Sequence, residues 1–358
     1  MHELLTIDDF EAAARGVLTQ LAYDYFRSGA DGQRTLQRNR AAFDDYEIWP
    51  RTLVDVSRLE LRVDLLGHSL PAPILIAPTA YQRLAHAEGE VAMAQGAAAS
   101  GALMVVSTLA TTTLEQVAAA AKGPKWFQLY IHRDRQGTQS LIARAEAAGY
   151  SALMLTVDTP ILGRRLADER NRFALPPGLR MANLVDASAT APQSGSALAS
   201  YCAARHDPAV TWRDLDWLRA ATTMPILVKG VLRGDDARRA VECGAAGIVV
   251  SNHGARQLDG TPATIDALGE VCAAVAGRCP VLLDGGIRWG TDILKALGVG
   301  ATAVLIGRPA LWGLAVGGAL GVERVLAILR SELERAMALA GCPSIAALAP
   351  DLIRRRRT

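Results

Sequence analysis

Short apolar runs alternate with longer amphipathic stretches along most of this chain. A turn of polar or glycine residues follows each run, which is typical of buried strands rather than helices. The runs occupy residues 73–77, 103–107, 125–130, 152–157, 226–229, 247–251, 281–284 and 303–306. The pattern therefore predicts eight strands.

Alanine-rich segments with a helical period fill most of the gaps between these runs. They occupy residues 90–100, 114–121, 138–148, 234–243, 264–276 and 291–297. Regular alternation of strand and helix predicts an α/β fold with a parallel sheet, and eight such units close into a (β/α)8 TIM barrel. The alternative is an open doubly wound sheet. Its G-x-G-x-x-G fingerprint is absent after the first strand, where Pro78, Thr79, Ala80 and Tyr81 stand instead.

Two segments fall outside the alternation. Residues 1–60 form a helical N-terminal extension, with Thr6 as a helix N-cap and a second helix near Gln20 to Arg27, and we expect it to cover the lower face of the barrel and reach its rim. Residues 176–208 lack a sustained period and predict a long loop after strand 4, either a lid or a surface loop without a role. The chain is thus predicted to be a single domain over 1–358, with the barrel over 61–345.

Composition and charge exclude several classes of protein. Hydrophobic residues make up 50% and charged residues 21%, which indicates a globular protein. The formal net charge of +2 predicts no nucleic-acid partner, and the arginine run at 354–357 is interpreted as a frayed, solvated tail. Arg308, Pro309 and several glycines interrupt the apolar stretch 303–320, which favours a strand plus loop over a membrane span.

The cysteines predict the compartment. Five of them are scattered without C-x-x-C spacing, so neither a disulfide framework nor a zinc site is expected. The N-terminus has no basic segment followed by an apolar one, as a signal peptide would. We therefore expect a cytoplasmic protein that binds no metal.

Polar residues cluster where the predicted strands end, and in a closed barrel these ends meet at one rim. His253 and Arg256 follow the sixth strand directly, which makes His253 a candidate base rather than a structural histidine. Asp158, after the fourth strand, could orient His253, or it could pair with Arg164 or Arg165.

A second group of residues predicts an anion site at the same rim. Glycine-rich turns after the seventh and eighth strands carry Arg288 and Arg308, a combination that suits a phosphate. The alternative is that these are ordinary turn glycines next to surface arginines, which would give the same sequence pattern. Lys229 ends an apolar strand, where a buried cation requires a negatively charged or electron-accepting partner. The planar guanidinium groups of Arg165 and Arg256 could bind a substrate carboxylate through paired hydrogen bonds.

Several motifs together carry a resemblance to a known family. They are Ser251-Asn-His-Gly-Ala-Arg-Gln257, Leu155-Thr-Val-Asp158, Phe127-Gln-Leu-Tyr130, Leu227-Val-Lys-Gly230, Asp284-Gly-Gly-Ile-Arg288, Ile306-Gly-Arg-Pro309, Tyr23-Asp-Tyr-Phe26 and Ala77-Pro-Thr-Ala80. With these motifs, the chain resembles the FMN-dependent (S)-2-hydroxy-acid oxidase family over about residues 5–344. That family includes glycolate oxidase, lactate oxidase and the mandelate-oxidising enzymes.

The resemblance implies a role for each matching residue. His253 would be the base, Asp158 its partner, Tyr25 and Tyr130 hydroxyl donors, and Arg165 and Arg256 the clamp on the substrate carboxylate. Lys229 would lie beside the flavin. The residues implied to hold FMN are Pro78, Thr79, Ala80, Ser107, Gln128, Thr156, Lys229, Ser251, Asp284, Gly286, Arg288, Gly307 and Arg308.

The implied reaction converts a 2-hydroxy acid into a 2-oxo acid and passes the electrons to O₂, giving hydrogen peroxide. A dehydrogenase with another electron acceptor and a lactate 2-monooxygenase are the alternatives within the family. An FMN barrel isomerase would share the phosphate site without needing His253 and Arg256, and a non-catalytic barrel would tolerate loss of His253 or Asp158. The resemblance also implies a homo-oligomer, a tetramer or octamer.

Two departures from the glycolate oxidase pattern concern the substrate. Leu109 stands where those enzymes carry a tryptophan, and Tyr81 replaces a methionine. A smaller residue at 109 and an aromatic wall at 81 would favour a medium-sized or aromatic 2-hydroxy acid over glycolate, with lactate between them. Alternatively, both residues simply pack against their neighbours.

Overall fold

The computed structural model describes residues 3–184, 197–348 and 350–356. It begins with three helices, α1 (Ile7–Val17), α2 (Gln20–Arg27) and α3 (Arg34–Ala41). Thr6 caps α1 as predicted, because its side chain accepts a hydrogen bond from the Asp9 backbone N–H at 3.1 Å and Asp9 reciprocates at the Thr6 N–H. The sequence did not indicate α3, which is dominated by polar residues and has little apolar surface to reveal a period.

A short strand and a hairpin lead into the barrel. Strand β1 (Tyr46–Ile48) is followed by β2 (Val63–Leu65) and β3 (His68–Leu70), which pair antiparallel. Leu65 and Leu70 pack into the apolar interior of the barrel, so this hairpin closes its lower face. The sequence predicts that residues 1–60 cover that face and reach the rim; among the described residues the hairpin, not this extension, supplies the side chains that pack into the lower end. Helix α2 of the extension reaches the opposite rim, where Tyr25 and Phe26 face the central cavity.

Eight parallel strands close into the predicted (β/α)8 barrel. They are β4 (Ile74–Ile76), β5 (Met104–Val106), β6 (Lys125–Leu129), β7 (Leu153–Thr156), β8 (Ile226–Val231), β9 (Gly247–Val250), β10 (Val281–Asp284) and β11 (Ala303–Ile306). Each lies at a predicted apolar run, so the eight-strand prediction is confirmed. β11 pairs with β4 and thereby closes the ring.

Alternation along the strands divides the barrel interior into an apolar layer and a polar layer. Trp126, Leu227 and Leu282 belong to the interior core, and each is fully buried. The next inward-facing residue of each strand lies two positions later, because side chains alternate between faces. These residues are polar and line the mouth of the barrel: Gln128, Lys229 and Asp284.

Helices surround the barrel and complete the α/β pattern. They are α4 (Gly89–Ala99), α5 (Leu114–Ala120), α6 (Arg135–Ala147), α7 (Leu166–Arg170), α8 (Ala197–Arg205), α9 (Trp212–Ala221), α10 (Gly234–Glu242), α11 (Thr264–Val275), α12 (Gly290–Val299) and α13 (Arg308–Leu339). A second core lies between the helices and the outer faces of the strands.

Two sequence-based interpretations are corrected here. The predicted loop 176–208 contains α8, whose residues Leu198 and Cys202 face the cavity, while residues 185–196 of that segment lie outside the described residues. The described part of the arginine run, residues 354–356, is not a frayed tail, while residue 357 lies outside the described residues. Strand β12 (Ile353–Arg355) pairs antiparallel with β1, and Arg355 forms an ion pair with Asp266 at 2.9 Å.

The apolar stretch after β11 continues as helix α13 instead of the predicted loop. Pro309 is tolerated there because it occupies the first turn, where its missing N–H would have no partner. By length and composition, α13 is apolar enough to cross a membrane. However, 56% of the most apolar 18-residue stretch of α13 is buried within the protein. The helix packs mainly against α4 and α1, as a core helix does.

One buried carboxyl group joins the loops that follow the first two barrel strands. Glu90, at the start of α4, accepts hydrogen bonds from the Gln82 N–H at 3.1 Å and the Thr111 N–H at 2.8 Å. It also accepts from the Thr111 and Thr112 hydroxyls. Glu90 therefore holds both loops at the mouth of the barrel.

We expect Glu90→Ala to lower the free energy of unfolding by about 3 kcal/mol, because several buried donors lose their acceptor. Denaturant titration of the flavin-loaded protein measures the change. The exposed Glu88 on the same loop provides the matched control, Glu88→Ala, which should unfold like the wild type. Equal midpoints for the two variants would contradict the role given to Glu90.

Candidate active site

A cavity of about 1110 Å³, its open mouth included, lies at the carboxyl ends of the barrel strands. This is the edge at which TIM barrels bind ligands. Most residues predicted for the site line it: Tyr25, Pro78, Thr79, Ala80, Ser107, Leu109, Gln128, Tyr130, Thr156, Arg165, Lys229, His253, Arg256, Asp284, Gly286, Arg288, Gly307 and Arg308. The barrel thus brings together residues that are far apart in sequence.

His253 and Asp158 form a hydrogen-bonded pair at the rim. The His253 Nδ1 lies 2.9 Å from the Asp158 Oδ1. Asp158 can approach closely because residue 230 beside it is a glycine, where a Cβ would lie 2.6 Å from the Asp158 Cβ. The backbone of His253 is left-handed, with φ of +60°, which is a strained conformation for a residue other than glycine. The loop therefore holds this imidazole in a defined position.

Burial and neighbouring charges set the protonation of this pair. Burial lowers the pKa of His253, and the Asp158 carboxylate opposes this only in part, so the pKa remains below its usual value. Burial raises the pKa of Asp158, but His253 and Lys229 outweigh burial and keep its pKa below the usual range. A neutral imidazole next to a carboxylate can accept a proton, and the carboxylate then stabilises the resulting imidazolium.

Lys229 is a buried cation at the floor of the cavity. Its Nζ lies 3.1 Å from the Asp284 Oδ2 and donates a hydrogen bond to the Ser251 Oγ at 2.8 Å. Burial alone lowers the pKa of Lys229, but the Asp284 and Asp158 carboxylates more than compensate and raise it. The ammonium therefore stays charged, with its charge available to a ligand above it.

Two arginines and a tyrosine form one side of the cavity. The guanidinium carbon of Arg256 lies 5.0 Å from the centroid of the Tyr25 ring, and Arg165 is only 5% exposed. Asp168 lies 3.8 Å from Arg165, beyond hydrogen-bonding distance, and neither of its carboxyl oxygens has a hydrogen-bond partner among the described residues. The two guanidinium groups therefore keep donors free for an anion in the cavity.

The turns after β10 and β11 form the predicted anion site. Gly285 and Gly286 have φ of +95° and +90°, which only glycine adopts readily. Arg288 is 8% exposed, and its Nε has no hydrogen-bond partner among the described residues. Arg308 donates to the carbonyls of Phe26, Gly254 and Ser28 at 2.9 to 3.0 Å. An unpartnered buried guanidinium nitrogen beside glycine turns fits the phosphate of FMN.

Three predicted residues do not line the cavity. Ser251 lies beneath Lys229 and donates a hydrogen bond to Asp284 at 2.7 Å. Tyr81 is buried, with its ring centroid 5.6 Å from that of Tyr25. Their contacts with the flavin and the substrate stay predictions. Asp158 reaches the cavity through His253, as the prediction of a partner role implies.

The structure adds residues that the sequence analysis missed. The Phe173 ring stacks on the Tyr25 ring with centroids 4.4 Å apart, and the His206 ring stacks on the Tyr130 ring with centroids 4.5 Å apart. Leu162, Leu198 and Cys202 also face the cavity. The only available signal was the spacing of residues 198, 202 and 206 at four-residue intervals, which places them on one face of a helix.

Comparison with known proteins agrees with this architecture. The model of the FMN-dependent dehydrogenase family matches residues 14–355. An L-lactate oxidase of Nostoc sp. is 54% identical over 349 residues, covering 95% of this chain and 95% of that protein. Glycolate oxidase 1 of Zea mays is 49% identical over 348 residues, covering 97% of this chain and 94% of that protein.

Solved structures give the same result. The crystal structure of a mandelate oxidase with (S)-4-hydroxymandelic acid is 44% identical and superposes with a TM-score of 0.94, covering 98% of each chain. The resemblance drawn from the motifs is therefore confirmed, together with the barrel fold and the FMN cofactor. The chain belongs to the FMN-dependent dehydrogenase family.

Proposed function

We propose that this protein is an FMN-dependent oxidase of (S)-2-hydroxy acids that produces a 2-oxo acid and hydrogen peroxide. One observation carries the proposal: a neutral, carboxylate-paired His253 faces the same cavity as the guanidinium groups of Arg165 and Arg256. Oxidation of a 2-hydroxy acid requires both features in one site: a base that accepts a proton from the substrate and cationic groups that bind its carboxylate. The relatives named as oxidases of lactate, glycolate and mandelate support the same class of substrate.

Each residue has a distinct task in this reaction. Arg165 and Arg256 bind the substrate carboxylate, and the Tyr25 and Tyr130 hydroxyls remain protonated donors because burial raises the pKa of both. His253 accepts the proton released from the substrate, whether from the Cα or from the hydroxyl. Bound FMN supplies the two-electron acceptor that the protein lacks. Lys229 favours negative charge above it, since its ammonium remains protonated.

O₂ then takes up the two electrons and two protons to give hydrogen peroxide. We also propose a cytoplasmic location, supported by five unpaired cysteines. A homo-oligomer is supported by the apolar surface around Trp49 and Leu53, which are 49% and 105% exposed.

Anaerobic mixing with (S)-2-hydroxy acids should bleach the flavin, and air should restore its colour while hydrogen peroxide appears. His253→Gln should retain FMN but slow the bleaching at least ~100-fold, because the base is lost. Rapid-mixing absorbance at the flavin band measures both steps. The matched control is His68→Gln, because His68 lies on the hairpin that closes the opposite face.

Three outcomes would contradict this account. Bleaching of His253→Gln at the wild-type rate would remove His253 from its role. Slow recovery in air would indicate a dehydrogenase with another electron acceptor. A decarboxylated acid in place of the 2-oxo acid would indicate a monooxygenase.

Arg288→Ala should weaken FMN binding at least about tenfold, because a charged hydrogen bond to the phosphate is lost. Arg288 is a sharper test than Arg308, whose three carbonyl contacts also support the fold. Fluorescence titration of the flavin-free protein with FMN measures the dissociation constant. The control is Arg330→Ala on the surface of α13, and equal constants for the two variants would exclude Arg288 from the phosphate site.

Leu109→Trp should exclude larger substrates by overpacking, at a cost of roughly 1–3 kcal/mol, because Leu109 lines the cavity and is 5% exposed. Glycolate, which has no side chain, should be affected least, then lactate, then mandelate. The measurement is kcat/KM for all three acids in both proteins. A uniform loss across the three acids would show that Leu109 does not contact the substrate side chain.

A further inference from the structure

One face of helix α8 extends the cavity wall beyond the residues used so far. Leu198 and Cys202 are one turn apart, and His206 follows one turn later, its N–H donating to the Cys202 carbonyl at 2.9 Å. All three line the cavity, since residues four apart lie on the same side of a helix. None of them has a role in the proton transfer or the anion sites described above.

His206 is a buried polar side chain whose hydrogen-bonding capacity is largely unused among the described residues. It is 3% exposed, and neither ring nitrogen makes a well-formed hydrogen bond there, although the Thr159 carbonyl attracts one ring N–H. Burial lowers its pKa to about 4, and the nearby Thr159 carbonyl only partly opposes this effect. The imidazole is therefore neutral near pH 7, and it can both donate and accept a hydrogen bond. A buried group of this kind costs stability unless a ligand pairs with it.

The arrangement of the cavity assigns His206 to one part of the substrate. Under the proposed function, the carboxylate faces Arg165 and Arg256, while the hydroxyl and Cα–H face His253 and Tyr130. The substrate side chain, the remaining substituent on Cα, therefore faces the rest of the cavity wall. That wall includes the apolar or weakly polar Leu109, Leu162, Leu198 and Cys202, together with Thr159 beside His206.

We propose that His206 is a specificity-determining residue that makes a hydrogen bond with a hydroxyl group on the side chain of the 2-hydroxy acid. The proposal rests on the proposed function and narrows its substrate class. Stacking on Tyr130, with ring centroids 4.5 Å apart, fixes the plane of the imidazole. A site that pairs a buried polar group with a substrate hydroxyl disfavours analogues lacking it, because the protein group is then left unpaired.

Matched substrates isolate this hydrogen bond. (S)-Glycerate and (S)-2-hydroxybutanoate differ only in a terminal hydroxyl or methyl, and (S)-4-hydroxymandelate and (S)-mandelate repeat the comparison at a longer reach. The quantity measured is the ratio of kcat/KM within each pair, followed by flavin reduction. In at least one pair, His206→Phe should lower the ratio about tenfold, which corresponds to about 1.4 kcal/mol. Phenylalanine retains the stacking on Tyr130 but removes both ring nitrogens.

Two further variants separate recognition from structure. His206→Gln restores a hydrogen-bonding group and should retain most of the preference. His132→Phe makes the same exchange at the neighbouring imidazole, which is 5.7 Å away and does not line this cavity, and should leave the ratios unchanged. If His206→Phe fails to retain flavin, His206→Leu carries the same comparison.

The outcomes distinguish this proposal from the proposed function. Glycolate has no side chain, so it should bleach the wild type and His206→Phe at similar rates. Ratios that stay unchanged in both pairs would overturn the role of His206 while leaving the oxidase function intact. Faster bleaching by (S)-malate than by every hydroxyl-bearing acid would also overturn it, since a side-chain carboxylate would then be the preferred partner. No bleaching of the wild type by any acid would instead contradict the oxidase function.

Discussion

Side chains alternate along a strand with a period of two, and this constraint determines where the chemistry of this protein lies. In a closed barrel, one face of every strand points into the interior, so an apolar layer must fill the middle. Trp126, Leu227 and Leu282 supply part of that layer. Two positions later on the same strands stand Gln128, Lys229 and Asp284, which meet at the mouth. The site is therefore the top layer of the same packing that stabilises the barrel.

The polar layer carries more positive than negative charge. Lys229 is balanced by Asp284, and Asp158 neutralises part of the charge near His253. The carboxylates near the arginines of the cavity are farther away, with Asp168 3.8 Å from Arg165 and Glu11 4.0 Å from Arg288. Burial and neighbouring arginines keep the pKa of Arg308 well below its ordinary value, and burial lowers the pKa of Arg256 to about 10. Anionic ligands relieve this repulsion. A flavin phosphate and a substrate carboxylate thus contribute to the stability of the site as well as to its chemistry.

The sequence predicts the barrel well because the strands are short, apolar and regularly spaced. It also predicts the polar mouth, since most site residues stand at or just after the end of a strand; Tyr25 on α2 and Arg165 before α7 are exceptions that only the family resemblance indicated. Contacts between distant segments were not predictable in this way. Tyr81 is buried against Tyr25, with the ring centroids 5.6 Å apart, and it has a left-handed backbone with φ of +59°, neither of which its sequence neighbours indicated. His206 follows a segment without a clear period, and the four-residue spacing of residues 198, 202 and 206 could indicate a helix face but not that this face would point toward the cavity.

Strand β12 also escaped prediction, because three residues rich in arginine resemble a solvated end more than a strand. Ile353 provides the apolar anchor, packing where residue 298 is a glycine, and a Cβ there would lie 2.1 Å from its side chain. Two arginines of β12 lie over aromatic rings while remaining exposed, with Arg354 4.1 Å from the Trp49 ring centroid and Arg355 5.7 Å from that of Tyr46.

The pairing of β12 with β1 has a consequence for the order of folding. Strand β1 follows α3 and lies in the same extension as α2, which brings Tyr25 and Phe26 to the cavity, yet its partner is made only after all eight barrel strands. On the ribosome, the barrel can therefore assemble before the extension is fastened at both ends. The pairing that fastens the extension therefore forms only once β12 has followed every barrel strand out of the ribosome.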